Sequence, residues 1–340
     1  MNQRWYRVFY ALCPFGQGDF CFIGGREMIT VPMDIDRLYP VRKSKKQKQA
    51  FREDVTRYAS DLGYTCAVEK GSFGARNLVI GDPEKAKYLV TAHYDTPASI
   101  GVPNFITPSN FVCFIVYKLF VVGLFFLLAF LVGFGVSFLT DDSLRIFWSA
   151  YIAYFGALLL MMFGPANRHN SNDNTSGVVT VLETARTLPE NLRDRVCFVL
   201  FDLEEAGLIG SSSYRSKHKK ASDKQIILNL DCVGDGDEIV FFPSGKLRKN
   251  EKAMNWLSKV YGRLGAKSIA QRRKGFAYYP SDQGNFPLGV GICALRRNKF
   301  VGLYMNRIHT ARDTILEETN VNILRAALTT LIADRSGEIE

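Results

Sequence analysis

Thiolate chemistry has little to work with in this chain. Its seven cysteines (Cys13, Cys21, Cys66, Cys113, Cys197, Cys232 and Cys293) are odd in number and scattered, and no C-x-x-C occurs. That argues against a disulfide framework and against a thiolate zinc site, and it points to a reducing compartment. Histidine is scarcer still, with four residues in 340. No basic stretch is interleaved with aromatics. The formal charge of +10, clustered at Arg42–Lys48, Arg215–Lys220 and Arg272–Lys274, therefore reads first as solvated surface. Attraction to an anionic membrane surface comes next, and nucleic acid is not expected as a partner. There is no internal repeat and no low-complexity tract. Met1 to Phe22 carries Arg4 and Arg7 but no continuous apolar core, so no signal peptide is expected.

Charge is also missing from two long runs. Leu119 to Leu139 is 21 residues without a charge, and Ile146 to Gly164 is 19 more. Each is long enough to cross a hydrocarbon core of about 30 Å. Only Thr140 to Arg145 lies between them, so the two helices must form an antiparallel hairpin with both outer ends on one side. Small residues recur every fourth position, at Ala129, Gly133 and Ser137 and at Ser149, Ala153 and Ala157. Such ladders let helix backbones approach closely in lipid.

The chain outside 109–164 is long enough for one large domain with a full core. Phe51, Val55, Tyr58 and Leu62 sit at helical spacing within Lys45–Leu62. Strand-like runs follow at Thr65–Val68, Asn77–Ile80 and Lys87–His93. Beyond the hairpin, strands are expected at Arg195–Phe201, Gln225–Leu230, Glu238–Phe242 and Gly289–Leu295. Helices are expected at Gly177–Thr187, Glu251–Leu264 and Val321–Ala333. This alternation predicts an α/β fold with a mostly parallel mixed sheet flanked by helices. The expected organisation is an N-terminal segment, 1–44, without an assigned role; a catalytic domain from 45–108 and 165–340; and a transmembrane hairpin inserted at 109–164.

Ligand-type side chains gather where strands end, the edge at which open α/β sheets place their sites. They are His93 with Asp95, Glu204 with Glu205, Asp231, and His309. Asp173 stands at the start of the Gly177 helix. Singly, each has an ordinary explanation: a satisfied polar strand end, a solvated helix start, a cap. His169 and His218 read as surface residues. Together the first set offers nitrogen and oxygen ligands without thiolate, which suits zinc or a similar divalent ion in a hydrolytic site.

Five pieces in order resemble the M28 family of zinc-dependent aminopeptidases and carboxypeptidase-like hydrolases. They are Thr91-Ala92-His93-Tyr94-Asp95-Thr96, Asn172-Asp173-Asn174-Thr175-Ser176-Gly177, Phe201-Asp202-Leu203-Glu204-Glu205-Ala206-Gly207, Asn229-Leu230-Asp231 and His309-Thr310. The resemblance runs from about residue 45 to 335, with the hairpin as an insertion. It implies a zinc-exopeptidase-like fold, two zinc ions and a peptide substrate. His93 and Asp231 would hold one ion, Glu205 and His309 the other, and Asp173 would bridge them. Glu204 would be the general base and Asp95 would orient His93. The implied reaction is release of N-terminal amino acids by attack of a metal-bound water. A non-ligand carboxylate would take the water's proton and hand it to the leaving amine.

Two departures stand out. Ser281-Asp282-Gln283 has Gln where the family often has His, which bears on the substrate pocket rather than on metal binding. Just upstream, Tyr278 or Tyr279 could polarise the scissile carbonyl or simply line a wall. The hairpin is the larger departure, and it makes the bilayer a partner of residues 109–164. Lys118 and Arg168 flank its outer ends against Arg145, Asp141 and Asp142 in the link, which favours a multi-pass protein of the cell membrane with a cytoplasmic catalytic domain. The same fold class also supports a glutaminyl-cyclase-like transferase, typically with one zinc, or an inactive membrane-bound binding protein. The complete ligand set argues against both.

Overall fold

Short runs of apolar residues, buried on both faces, build the centre of the molecule. The computed structural model describes residues 22–23, 26–101, 104–271 and 279–338. Arg272–Lys274 and Tyr278 lie outside the described residues, as does the whole segment before Phe22. In chain order the elements are β1 (Phe22–Ile23), β2 (Arg26–Glu27), α1 (Asp34–Leu38), α2 (Lys45–Asp61), β3 (Cys66–Lys70), β4 (Arg76–Ile80) and β5 (Tyr88–His93). Next come α3 (Phe111–Ser137), α4 (Ser143–Phe163), α5 (Gly177–Thr187), β6 (Val196–Phe201), α6 (Ile209–Lys217), α7 (Lys219–Ser222) and β7 (Ile226–Leu230). The chain ends with β8 (Glu238–Pro243), α8 (Gly245–Arg248), α9 (Glu251–Ser258), β9 (Gly262–Leu264), β10 (Lys267–Gln271), β11 (Gly289–Asn298), β12 (Gly302–Tyr304) and α10 (Glu318–Ala333).

Ten strands form one mixed sheet in the order β3-β4-β6-β5-β7-β11-β8-β10-β9, with β12 added to β11. The centre, β6-β5-β7-β11, is parallel; antiparallel pairs flank it on both sides, and β8 and β10 run parallel to each other within one edge. Six strands, β3, β5, β6, β7, β9 and β11, run the same way. The central strands have no exposed face: β5, β6 and β7 are buried along their whole lengths. That is why they read as continuous apolar runs rather than alternating ones. Helices α2, α5, α9 and α10 cover one face with Phe51, Val181, Trp256 and Leu328. Tyr214 of α6 and Phe286 cover part of the other. Ile29, Ile35 and Tyr39 join the first core, so the chain is already part of the domain body before residue 45.

Local signals explain most boundaries. Helix α2 begins at a capping box, in which Gln47 N–H donates to Ser44 Oγ and Ser44 N–H donates to Gln47 Oε1. The expected helix Glu251–Leu264 stops instead at Ser258, and Gly262–Leu264 is strand β9. Gly265, at φ +65°, makes the tight turn into β10, and pairing of β10 with β8 draws this segment into the sheet edge.

Helices α3 and α4 stand apart from the sheet. They contain 27 and 21 residues, about 40 and 32 Å at helical rise, and both are long and apolar enough to cross a membrane. Of their residues only Ala129 and Gly133 are buried. An added Cβ on Gly133 would meet the Ala150 Cβ at 3.3 Å, so Gly133 lies where the helices approach, whereas Ser137 of the same expected ladder is exposed and Ala150 is not one of the expected α4 residues. The chain leaves and re-enters the domain at one place. Ala98 pairs with Ala166, Ser99 N–H donates to Pro165 O at 2.8 Å, and Asn167 N–H donates to Pro97 O at 2.9 Å.

Candidate metal centre

The ends of β5, β6 and β7 lie side by side, and each delivers an ionisable side chain to the same place. His93 is the last residue of β5, Asp231 follows β7, and Glu204 and Glu205 follow β6. Asp173 comes from the 171–176 turn before α5, and His309 from the loop after β12. His93 Nε2 lies 3.3 Å from Asp173 Oδ1 and 3.7 Å from Asp231 Oδ1. On the other side of Asp173, His309 Nε2 lies 2.9 Å from Oδ2 and 3.5 Å from Glu205 Oε1. The two oxygens of one carboxylate thus face two separate groups. His93, Asp173 and Asp231 form one cluster, and Asp173, Glu205 and His309 the other, with ligand atoms within 4.8 Å of one another in each. Glu204 forms a third such group with His93 and Glu205, again with atoms within 4.8 Å of one another, but it does not group with Asp173.

The surrounding backbone is arranged around these groups. Asp95 accepts from Glu204 N–H at 3.1 Å and from Glu205 N–H at 3.3 Å, while its Oδ1 is 3.6 Å from His93 Nδ1. It therefore fixes the Glu204-Glu205 turn as well as facing the histidine. Leu203, Cys232 and His309 all have left-handed φ, at 56°, 56° and 59°. Such non-glycine residues cost of order 1–3 kcal/mol each and gather where surrounding structure holds a functional geometry. Here each is at, or next to, a site residue.

Asp173 does not cap α5, contrary to the expectation from its position. The neighbouring Asn174 does so: its Oδ1 accepts from Gly177 N–H at 3.0 Å and from Cys232 N–H at 3.2 Å. Asp173 is left free to face the histidines. Sequence reasoning also missed Asp313. Its buried carboxylate accepts from Asn172 N–H at 2.8 Å and Asp173 N–H at 3.0 Å, clamping the turn that carries Asp173. The available signal was an acid four residues beyond His309. His218, expected at the surface, is buried between two carboxylates, with Nδ1 2.6 Å from Glu84 and Nε2 3.0 Å from Glu69. His169 is exposed, as expected, and stays outside the clusters. Tyr279 O–H donates to Asp231 O at 3.1 Å, so its hydroxyl buttresses that strand end. Gln283 is also engaged, accepting from Asn229 Nδ2–H and donating to Tyr279 O.

The electrostatics describe a site short of positive charge. Burial, with repulsion from Asp173, pushes Glu205 up to about 8. Burial and the neighbouring Glu205 carry Glu204 well above the carboxylate range. Burial alone would lower His309, but Glu205 and Asp173 raise it to about 9. His93 likewise rises well above its ordinary value against its burial, through Glu204, Asp173, Asp231 and Asp95. Asp173 is lowered despite burial because both histidines face it. Burial and Asp173 push Asp313 up to about 8. A cluster in which carboxylates hold protons and histidines keep theirs is one that divalent cations would neutralise. The nitrogen and oxygen donors fit such ions, with His93 Nε2 and His309 Nε2 both turned toward Asp173.

The site opens into a cavity of about 540 Å³. His93, Asp173, Glu204, Glu205, Asp231 and His309 line one part, and residues of α3 and α4 line another.

The profile of Peptidase family M28 matches residues 163–332, half of the chain, and the chain belongs to that family. Aminopeptidase YwaD of Bacillus subtilis (strain 168) is 40% identical over 67 residues, which is 19% of this chain and only 15% of that relative. The fold is similar to that of the LapA aminopeptidase of Legionella pneumophila, with a TM-score of 0.53 at 15% identity, over 91% of this chain and 71% of that one. It is also similar to a glutaminyl cyclase of Macrostomum lignano, with a TM-score of 0.51 at 12% identity, over 89% of both chains.

Proposed function

We propose that this chain is a membrane-anchored, di-zinc aminopeptidase. The observation that carries the proposal is the pair of clusters joined by Asp173, whose Oδ1 faces His93 and whose Oδ2 faces His309. In this reading His93 and Asp231 hold one zinc, Glu205 and His309 the other, and Asp173 both. Two bound zinc ions supply Lewis acidity toward the scissile carbonyl and toward water. Glu204, half-buried beside the clusters, takes the proton of the attacking water and delivers it to the leaving amine. Asp95 keeps the Glu204-Glu205 turn in place through its two backbone hydrogen bonds. Asp313 does the same for Asp173.

The domain organisation proposed is one catalytic body interrupted by a bilayer-spanning hairpin at 109–164. The exposed apolar length of α3 and α4 supports this, since exposed side chains such as Leu119, Phe130, Ile152 and Leu159 would otherwise face water. Lys118 and Arg168 at the outer ends favour a catalytic domain on the cytoplasmic side.

Activity on unblocked and N-acetylated peptides, measured with zinc content, tests the reading. Cleavage of the first set only, with two zinc ions per chain, is expected. One tightly held zinc with cyclisation of N-terminal Gln would favour a glutaminyl-cyclase-like transferase, a reaction the fold also accommodates. Metal-free protein that binds peptides without turnover would favour an inactive binding protein.

A further inference from the structure

We propose that α3 and α4 are a wall of the substrate site, and that the substrate is a peptide apolar enough to partition into the bilayer. The proposal rests on the aminopeptidase reading above and adds the substrate class. Its basis is the lining of the 540 Å³ cavity. One part is ionisable and holds the residues assigned to metals and proton transfer. Another is built by Phe114, Tyr117, Val121 and Phe125 of α3, with Leu160 and Met161 of α4. The α3 residues are spaced by three, four and four, which puts them on one helix face. All four are partly buried, whereas their neighbours Val116, Leu119, Phe120 and Val122 are exposed. One face of α3 therefore looks into the site, another packs on α4, and side chains such as Val116, Leu119 and Phe120 are exposed hydrocarbon.

This arrangement constrains the occupant. A free amine and one scissile amide satisfy the ionisable part. Whatever extends toward the hairpin meets aromatic rings, branched chains and a thioether, which reward apolar side chains and penalise unpaired polar ones. Met161 can adapt to side chains of different shape. The same helices carry the cavity wall and the proposed lipid-facing surface. A peptide dissolved in the bilayer surface can therefore move along them to the site without its apolar residues crossing water. Lys118 also lines the cavity, with its ammonium 5.6 Å from the Phe114 ring centre and 6.0 Å from that of Tyr117. It ends this wall in a charge that can reach a polar boundary. The chain's departure and return at Ala98 and Ala166, close in sequence to Asp95 and Asp173, keep the wall near the ligands.

The test uses the full-length, zinc-loaded chain in phosphatidylcholine vesicles and two peptides that share an N-terminal Leu. One continues with Gly and Ser, the other with Leu and Phe. The apolar peptide is expected to have a kcat/KM at least about tenfold higher. Phe125→Ala, Val121→Ala and Met161→Ala should each reduce that apolar-to-polar ratio by about fivefold or more. Leu127→Ala, on an exposed part of α3 away from the cavity, should leave the ratio unchanged. Thermal melts identify any variant that fails to fold, and the remaining variants carry the test. Equal cleavage of the two peptides, or a preference that all three cavity variants retain, overturns the inference while the aminopeptidase reading stands. Cleavage of neither peptide overturns both. Hydrolysis of N-acyl amino acids instead of peptides also overturns the assignment of substrate class.

Discussion

Replacing Asp313 with Ala should disable metal binding although Asp313 touches no metal in this account. The carboxylate receives two backbone N–H groups, from Asn172 at 2.8 Å and Asp173 at 3.0 Å, in a buried place. Removing it leaves both donors without partners, at about 1–3 kcal/mol each, or about 2–6 kcal/mol for the pair before water enters the space. Part of that cost falls on folding. Part is avoided by letting the 171–176 turn relax, which moves the Asp173 carboxylate away from His93 and His309. Outer partners of metal ligands typically account for 10- to 100-fold in affinity, about 1.4–2.7 kcal/mol, and the same range is expected here. Asp313→Asn should fall between wild type and Ala, because one amide oxygen can accept only part of what two carboxylate oxygens accept. Competition with a zinc chelator measures the affinity, and a thermal melt of the metal-free protein measures the folding share. If Asp313→Ala binds zinc within twofold of wild type, the clamp on Asp173 has no functional role and the reasoning fails.

Glu204→Gln should retain both metal ions and lose at least about a hundredfold in kcat, the usual contribution of general acid–base catalysis; a variant with wild-type turnover would remove Glu204 from the mechanism. Zinc association should strengthen with pH. Glu205 near 8 and His309 near 9 must each give up a proton to become ligands, so affinity rises about tenfold per pH unit per displaced proton and levels off above about 9. Calorimetry in buffers of different ionisation enthalpy counts those protons, and pH-independent binding would contradict the assignment. The sign for folding of the metal-free chain follows from the same groups. Glu205 is raised from 4.5 to about 8, so ionising it destabilises the fold, while His309, raised from 6.5 to about 9, loses its favourable charge over the upper window. The metal-free protein should therefore melt lower at pH 9 than at pH 6, and an opposite trend would count against the cluster. Gly177→Ala would place a Cβ within 2.4 Å of Asn174 Oδ1 and 2.5 Å of Leu230 O, costing about 1–3 kcal/mol in stability; an unchanged melting temperature would show that this junction can yield.

Much of the site was legible because parallel strands buried on both faces are apolar throughout. Polar residues immediately after such runs, at His93, Glu204-Glu205 and Asp231, stand out and share an edge by topology. The hairpin was legible for a similar reason, as runs without charge joined by six residues. Local sequence was less informative where one short polar residue can do the work of its neighbour. Asp173 and Asn174 both look like caps, and only the structure shows Asn174 bridging Gly177 and Cys232 while Asp173 faces the histidines. Asp313 was hidden because its partners are backbone N–H groups 140 and 141 residues away. His218 was hidden because Glu69 and Glu84, which clamp it, are distant in sequence. Strand β9 was read as the end of a helix because its pairing with β10, itself held by β8, is a tertiary effect that outweighed local periodicity.

The central claim is that one carboxylate, Asp173, joins two metal positions. Metal counting on the purified full-length chain and on Asp173→Ala, with hydrolysis of an unblocked Leu peptide measured in parallel, tests it most directly. The account predicts two zinc ions per chain and peptide release in the wild type, with both lost in the variant. A wild type that hydrolyses the peptide after exhaustive chelation, or an Asp173→Ala variant that keeps two zinc ions, would contradict it.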